Sequence, residues 1–229
     1  MRTKSWTTLK VVHVFIRRPR SGGRAVPETR KACQGDNPPV GLPLHAARPK
    51  RRRYRSYIGE ISPAPDNIIN RDFHANAPNE KWVTDISEFQ IPAGKVYLSP
   101  MIDCFDGMVV SWSIGTSPDA ELVNSMLDAA IETVTEDDET PIVHSDRGGH
   151  YRWPGWLSRV AKAKLIRSMS RKACSPDNAA CEGFFGRLKT EMFYPGDWRS
   201  TTIAEFVEVL DAYVRGPIRD FVGGAYHEV

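Results

Sequence analysis

Lys81-Trp82-Val83-Thr84-Asp85-Ile86 is the stretch on which the fold turns. Its side chains alternate at the period of a strand, and Asp85 sits among apolar neighbours where a carboxylate is normally excluded. Working outward toward the C-terminus, Val96-Tyr97-Leu98 through Ile102 gives a second strand. Met108-Val109-Val110-Ser111-Trp112-Ser113-Ile114 gives a third, and Asp106-Gly107 marks a tight hairpin turn between them. Three consecutive strands of this kind make an antiparallel meander.

Thr116-Ser117-Pro118 then reads as a helix start, a cap candidate followed by proline in the first turn. Leu122, Val123, Met126, Leu127, Ala130, Ile131 and Val134 carry a helical stripe. Glu136-Asp137-Asp138-Glu139 closes it as a solvated acidic loop. Pro141-Ile142-Val143-His144-Ser145-Asp146 is a short buried-type strand that ends on an acid. Trp153, Trp156, Leu157, Val160 and Ala161 indicate a helix, and Leu165-Ile166-Arg167-Ser168-Met169 a fifth strand. The turn Ser175-Pro176-Asp177-Asn178 caps a helix carrying Glu182, Phe185, Leu188 and Lys189. A last amphipathic helix runs from about Thr202 through Val214 and stops at Gly216-Pro217. The order βββαβαβαα predicts an α/β fold, a mixed five-stranded sheet flanked by helices.

Upstream of Lys81 the character changes. Residues 56–80 read as a Pro- and Asn-containing linker. Residues 1–55 hold fifteen Lys/Arg against Glu28 and Asp36, a balance of +13, whereas the rest of the chain is at −10. A basic arm on an acidic body is the charge layout of a chain that meets nucleic acid through the arm. Lys50, Arg51, Arg52 and Arg53 are its densest cluster and are read as phosphate contacts, although a solvated tail has the same composition. Beyond Leu9–Ile16 the arm offers too little apolar surface to offset ordering entropy, so it is expected to be mostly disordered. The expected division is a basic arm at 1–55, a linker at 56–80, a catalytic core at 81–215 and an irregular tail at 216–229.

No run of eighteen apolar residues exists, which excludes a membrane-spanning helix, and no signal-peptide pattern opens the chain. Cys33, Cys104, Cys174 and Cys181 show no CxxC spacing. They read as free thiols of a reducing cytoplasm, and Cys174 with Cys181 lacks the partners of a zinc site.

Two acids fall at informative places. Asp85 lies inside the first strand, and Asp146 ends the fourth, at the carboxyl edge where open α/β sheets bind ligands. If those strands are neighbours, the two carboxylates meet. Glu182, one turn into a later helix, can face them. Carboxylates packed ~4 Å apart at an effective dielectric near ~20 repel by roughly 4 kcal/mol per pair. Such a cluster is tolerated where cations neutralise it, and all-oxygen ligation selects Mg²⁺ or Mn²⁺. Two such ions activate a water or a DNA 3′-hydroxyl for in-line displacement at phosphorus.

The segments Trp82-Val83-Thr84-Asp85-Ile86, Val143-His144-Ser145-Asp146-Arg147-Gly148 and Ser175-Pro176-Asp177-Asn178-Ala179-Ala180-Cys181-Glu182-Gly183-Phe184-Phe185 closely resemble the integrase core of bacterial insertion-sequence transposases. The group is the insertion sequence three family, whose catalytic product comes from a second reading frame and which is related to retroviral integrases. The resemblance covers roughly residues 51–212. Thirty-five residues lie between Asp146 and Glu182, the family's spacing, and Lys189 holds the basic position seven residues after the glutamate.

The resemblance implies a ribonuclease H-like fold and a catalytic triad of Asp85, Asp146 and Glu182 on two Mg²⁺ or Mn²⁺ ions. It further implies cleavage and strand transfer on element ends and target DNA, a homo-oligomer when active, no membrane or small-molecule partner, and a bacterial cytoplasmic setting. Lys189 would contact DNA, its ammonium about 10 Å along the helix face from Glu182. Arg147, Arg171 and Lys172 are further candidate DNA contacts. His144 and Asn178 match motif positions able to orient active-site groups, while Trp153, Trp156, Phe184 and Phe185 read as core.

Both flanks depart from the family pattern. Residues 1–47 lack the usual helix-turn-helix, and the end Gly223-Gly224-Ala225-Tyr226-His227-Glu228-Val229 follows a break at Gly216-Pro217. The expectation is a partial or degenerate element product. The competing readings are a hydrolytic nuclease of the same fold and a non-catalytic DNA-binding remnant.

Overall fold

A computed structural model describes residues 62–135, 140–172 and 175–216, together with the backbone of residues 12–15. One mixed sheet of seven strands organises the chain: β1 (Val12–Phe15), β2 (Lys81–Thr84), β3 (Ser87–Ile91), β4 (Gly94–Asp103), β5 (Val109–Gly115), β6 (Ile142–Ser145) and β7 (Ile166–Met169). The spatial order is β1-β5-β4-β2-β6-β7, with β3 beside β4. The meander is antiparallel, and β2, β6 and β7 run parallel. All five expected strands form.

The two additional strands have separate causes. β2 and β3 keep one register against β4, from Thr84↔Met101 to Ser87↔Leu98, so Asp85 and Ile86 face Pro100 and Ser99. Pro100 brings no N–H to a ladder, and the strand is interrupted there. β3 then continues with Ser87, Phe89 and Ile91 buried and Glu88 and Gln90 exposed. β1 lies parallel along β5; the rest of the basic arm, Lys50, Arg51, Arg52 and Arg53 included, lies outside the described residues, as do residues 136–139 and the tail beyond 216.

Helices cover both faces of the sheet. Val83, Ile102 and Val109 pack on one side with Phe184, Phe185 and Leu188 of α3 (Ala179–Leu188) and with Phe206 and Leu210 of α4 (Ile203–Arg215). Trp82, Met101 and Val110 pack on the other with Met126 and Leu127 of α1 (Ala120–Ile131) and with Trp156 and Val160 of α2 (Pro154–Lys162). Successive strand residues thus serve opposite layers, the period-2 rule. Trp153, Trp156, Phe184 and Phe185 are buried, as expected of core. At ~25 cal/mol per Å², each such side chain contributes roughly 2–3 kcal/mol on burial.

Local chemistry fixes the helix starts. α4 opens with a capping box in which Thr202 Oγ1 accepts from Glu205 N and Glu205 Oε2 accepts from Thr202 N. The start of α1 lies further on than Thr116-Ser117-Pro118 predicts. Asp119 is the cap, accepting from Leu122 N at 3.2 Å, because its carboxylate reaches the free N–H groups of the first turn. The helix ends at Ile131, one turn short of Val134. No helix among the described residues is long and apolar enough to cross a membrane.

Candidate active site

β2 and β6 are hydrogen-bonded parallel neighbours with Thr84 opposite Ser145. The next residue on each strand is an acid, so Asp85 and Asp146 leave the sheet side by side. Strand alternation sends Asp85 with Val83, and Asp146 with His144, to the α3 side. There α3 presents Glu182 in its first turn.

Asp85 is the electrostatic centre of this group. Its carboxyl is pushed up to about 6, chiefly by burial, then by the charge of Asp146 and, less, that of Glu182. The Ile86 N–H (2.7 Å, to Oδ1) and Asn178 Nδ2 (2.9 Å, to Oδ2) oppose the shift. Asp146 Oδ1 accepts from Gly148 N at 2.8 Å. Among the described residues, no Lys or Arg forms a salt bridge with Asp85, Asp146 or Glu182. The three share one electrostatic neighbourhood without closing into a cage: no three His, Cys, Asp or Glu side chains among the described residues stand close enough to hold one ion. Mutual repulsion favours that opening.

Gly148 is required by close approach. A Cβ there would lie 2.8 Å from Asp146 Oδ1, so any larger residue must push the carboxylate off its N–H. His150 and Tyr151, which the sequence reading passed over, follow directly. Burial holds His150 below the ordinary histidine value, against the charges of Asp146 and Asp119. Tyr151 is fully buried under the acids, and burial with the charges of Asp85 and Asp146 drives its phenol up. By strand alternation Thr84 faces away from Asp85, toward the layer in which Tyr151 packs, and its hydroxyl opposes the rise of the phenol.

Asn178 holds the N-cap position of α3, yet its side chain does not cap; it turns to Asp85 instead. His144 is wholly buried, with Nδ1 on Ser168 Oγ (2.8 Å) and Nε2 on Ser170 Oγ (3.2 Å) and the Asp177 carbonyl (2.8 Å). Its role is to tie β6, β7 and the turn before α3 together.

The candidate DNA contacts fall at separate places. Lys189 Nζ stands 5.6 Å over the Phe89 ring and beside Glu88, where the helix widens into a π-turn at Lys189–Phe193. Arg147 is exposed, with Nε donating to the Ser170 carbonyl at 2.8 Å. Arg171 meets Asp177 through Nε and Nη2, both at 2.9 Å. Lys172 is exposed. The structure therefore brings Asp85 and Asp146 to adjoining strand ends with Glu182 in the first turn of α3, while Arg147 is tied to the Ser170 carbonyl, Arg171 to Asp177 and Lys189 to the Phe89 ring. Asp177, Asn67 and Arg71 were not foreseen. A carboxylate in a Pro-Asp-Asn turn looks like an ordinary turn residue, and two of its partners, Asn67 and Arg71, lie over a hundred positions away.

Residues 75–175 match the integrase core domain family. The chain is 61% identical over 166 residues, 72% of its length, to the probable transposase for insertion sequence element IS1353 of Shigella flexneri, and spans 32% of that protein. It is 42% identical over 165 residues to an uncharacterized transposase-like protein of Haemophilus influenzae, covering 72% of this chain and 74% of that one. In fold it is similar to a chain in the cryoEM structure of a simian T-cell lymphotropic virus intasome in complex with PP2A regulatory subunit B56 gamma, with a TM-score of 0.52 and 18% identity over 70% of this chain and 54% of that one. A ribonuclease H-like sheet, acids at the ends of its paired central strands and these relatives agree: the chain belongs to the integrase-core transposases of bacterial insertion sequences.

Proposed function

We propose that this chain carries out metal-dependent cleavage at the ends of its own element and joins those ends to target DNA, acting as a multimer in the bacterial cytoplasm. One observation carries the reading: Asp85 and Asp146 end two paired parallel strands opposite Glu182, with no salt-bridging base among the described residues.

The donor set fits Mg²⁺ or Mn²⁺. All three groups are hard oxygen donors, and the Asp85 carboxyl is displaced upward chiefly by burial and then by the charge of Asp146, a combination that a bound dication would offset. Asp85, Asp146 and Glu182 would hold two such ions, which when bound activate a water or 3′-hydroxyl and stabilise the leaving oxygen at phosphorus. Asn178 and the Gly148 N–H keep Asp85 and Asp146 from rotating away. Phosphates of the DNA would meet Arg147, Lys172 and Lys189 around the acids, and Lys50, Arg51, Arg52 and Arg53 on the arm.

The test is a joining assay on a duplex bearing the element's terminal repeats, with Mg²⁺ and a target plasmid. Joined product is expected from the unaltered chain, and none from Asp85→Asn, Asp146→Asn or Glu182→Gln. Nicking without joining would make the chain a hydrolytic nuclease. Salt-sensitive DNA binding with no product, unchanged by Asp146→Asn, would make it a binding remnant.

A further inference from the structure

Asp177 is a second acid in the turn before α3, and its surroundings are the reverse of those of Asp85. Its side chain is wholly buried, and charged acceptors in such places persist only when their lone pairs are filled. Here the donors are many. Oδ1 accepts from Arg71 Nε (2.8 Å) and Arg171 Nη2 (2.9 Å). Oδ2 accepts from Asn67 Nδ2 (3.0 Å), Arg171 Nε (2.9 Å) and the Arg171 N–H (3.0 Å). The Asp177 carbonyl is taken in turn by His144 Nε2 and Ser170 Oγ. Side chain and main chain of one residue are therefore both fixed.

The residues tied together come from distant parts of the chain. Asn67 and Arg71 precede β2, in the stretch whose Ile68 and Ile69 N–H groups also donate to Ser168 Oγ. Arg171 follows β7. Asp177 itself is the neighbour of Asn178, which holds Asp85, and stands five residues before Glu182 on a rigid helix. Any rotation of the 175–178 turn would carry Asn178 and Glu182 away from Asp85 and Asp146.

We propose that Asp177 is a positioning residue: with Arg71, Arg171 and Asn67 it clamps residues 67–71 and the turn before α3 into one unit, which sets Asn178 and Glu182 against the two strand acids. This rests on the proposed transposase reading. It makes the segment before β2 a working part of the site, and assigns Arg71 and Arg171 to holding geometry rather than to gripping phosphate.

The experiment uses the full chain and four readouts: joining rate at saturating DNA, salt dependence of DNA binding, Mn²⁺ affinity, and hydrogen exchange. Asp177→Asn should lower the maximal rate about 30-fold and weaken Mn²⁺ binding about tenfold, within the range for residues that orient metal ligands. Exchange should rise at the amides of Ile68 and Ile69 and in the first turn of α3, and stay unchanged in β2 and β6. If Asp177→Asn does not fold, Arg171→Lys, which keeps the charge but loses the fork, should give about a tenfold loss of rate at unchanged DNA affinity. Arg71→Ala should lower the rate without altering the salt dependence. A salt slope reduced by about 1 with the rate retained would make the arginines phosphate contacts and overturn the proposal. Rate and Mn²⁺ affinity within twofold of the unaltered chain in Asp177→Asn, or exchange raised evenly through β2 and β6, would overturn it as well. Should the unaltered chain neither join DNA nor bind Mn²⁺, the transposase reading fails on its own, and the local exchange pattern still decides whether the clamp exists.

Discussion

Asp85 and Asp177 are both sequestered carboxylates, separated in the structure by little more than Asn178, and the protein treats them in opposite ways. Asp177 receives two guanidinium groups, a carboxamide and a backbone N–H. Asp85 receives one N–H and one carboxamide, and has two further acids for neighbours. The first arrangement is electrically complete and suits a fixed strut. The second is short of positive charge on the side where the acids gather. Among the described residues arginines pair with Asp177 and none with Asp85, the contrast expected if a cation from solution serves the second acid.

The largest effect expected from breaking this contrast is at the open end. Asp146→Asn should reduce joined product by about 10⁴-fold or more, equivalent to over ~5 kcal/mol of transition-state stabilisation, with DNA binding retained in a filter or gel-shift assay. A fall of less than tenfold would remove the acids from the chemistry. At the closed end, Asp177→Ala strips the partner from two arginines and should cost about 3–5 kcal/mol in chemical unfolding, the usual penalty for breaking a buried ion pair. A loss below 1 kcal/mol would show the cluster to be as dispensable as a surface pair.

Acidity separates the two ends further. Asp85 is raised from an ordinary 3.8 to about 6 in the folded chain, so folding favours its protonated form. The stabilisation from that preference is complete below pH ~4 and is lost as pH rises through about 6. In metal-free buffer Asp85→Asn should therefore match the unaltered chain near pH 4 and exceed it at pH 7.5, by up to about 3 kcal/mol at 1.36 kcal/mol per unit. Adding Mg²⁺ should raise the Tm of the unaltered chain and not that of the variant. A pH-independent difference would contradict the burial and crowding of charge that raise Asp85.

Smaller effects sharpen the picture at its edges. Gly148→Ala should lower the joining rate about tenfold with little change in KM, because the added methyl displaces the Asp146 carboxylate from its N–H. Lys189→Ala should flatten the salt dependence of binding by about one unit of slope if its ammonium leaves the Phe89 ring for a phosphate. No change in slope would confine Lys189 to packing.

Much of this was legible in the chain because it is written in short-range patterns. Strand and helix periods placed the five expected strands and the main helices, and a carboxylate among the apolar neighbours of the first strand singled out Asp85. What escaped was set partly by partners far away in the chain and partly by competition between adjacent cap candidates. β3 separates from β2 where Pro100 on the facing strand breaks the ladder. The cap of α1 falls on Asp119 because a carboxylate there reaches Leu122 N, although Ser117 has comparable cap propensity.

The sequence by itself determined the layered α/β architecture and the identity and spacing of Asp85, Asp146 and Glu182, since periodicity and motif spacing are properties of neighbours along the chain. Tertiary structure alone decided that β2 and β6 adjoin, that Asn178 serves Asp85 rather than its own helix, and that Asp177 is a strut. The physical reason is range: Arg71 and Asn67 reach Asp177 across 106 and 110 residues of sequence. Whether a carboxylate ends up satisfied or starved of positive charge depends on which distant donors the packed chain delivers to it.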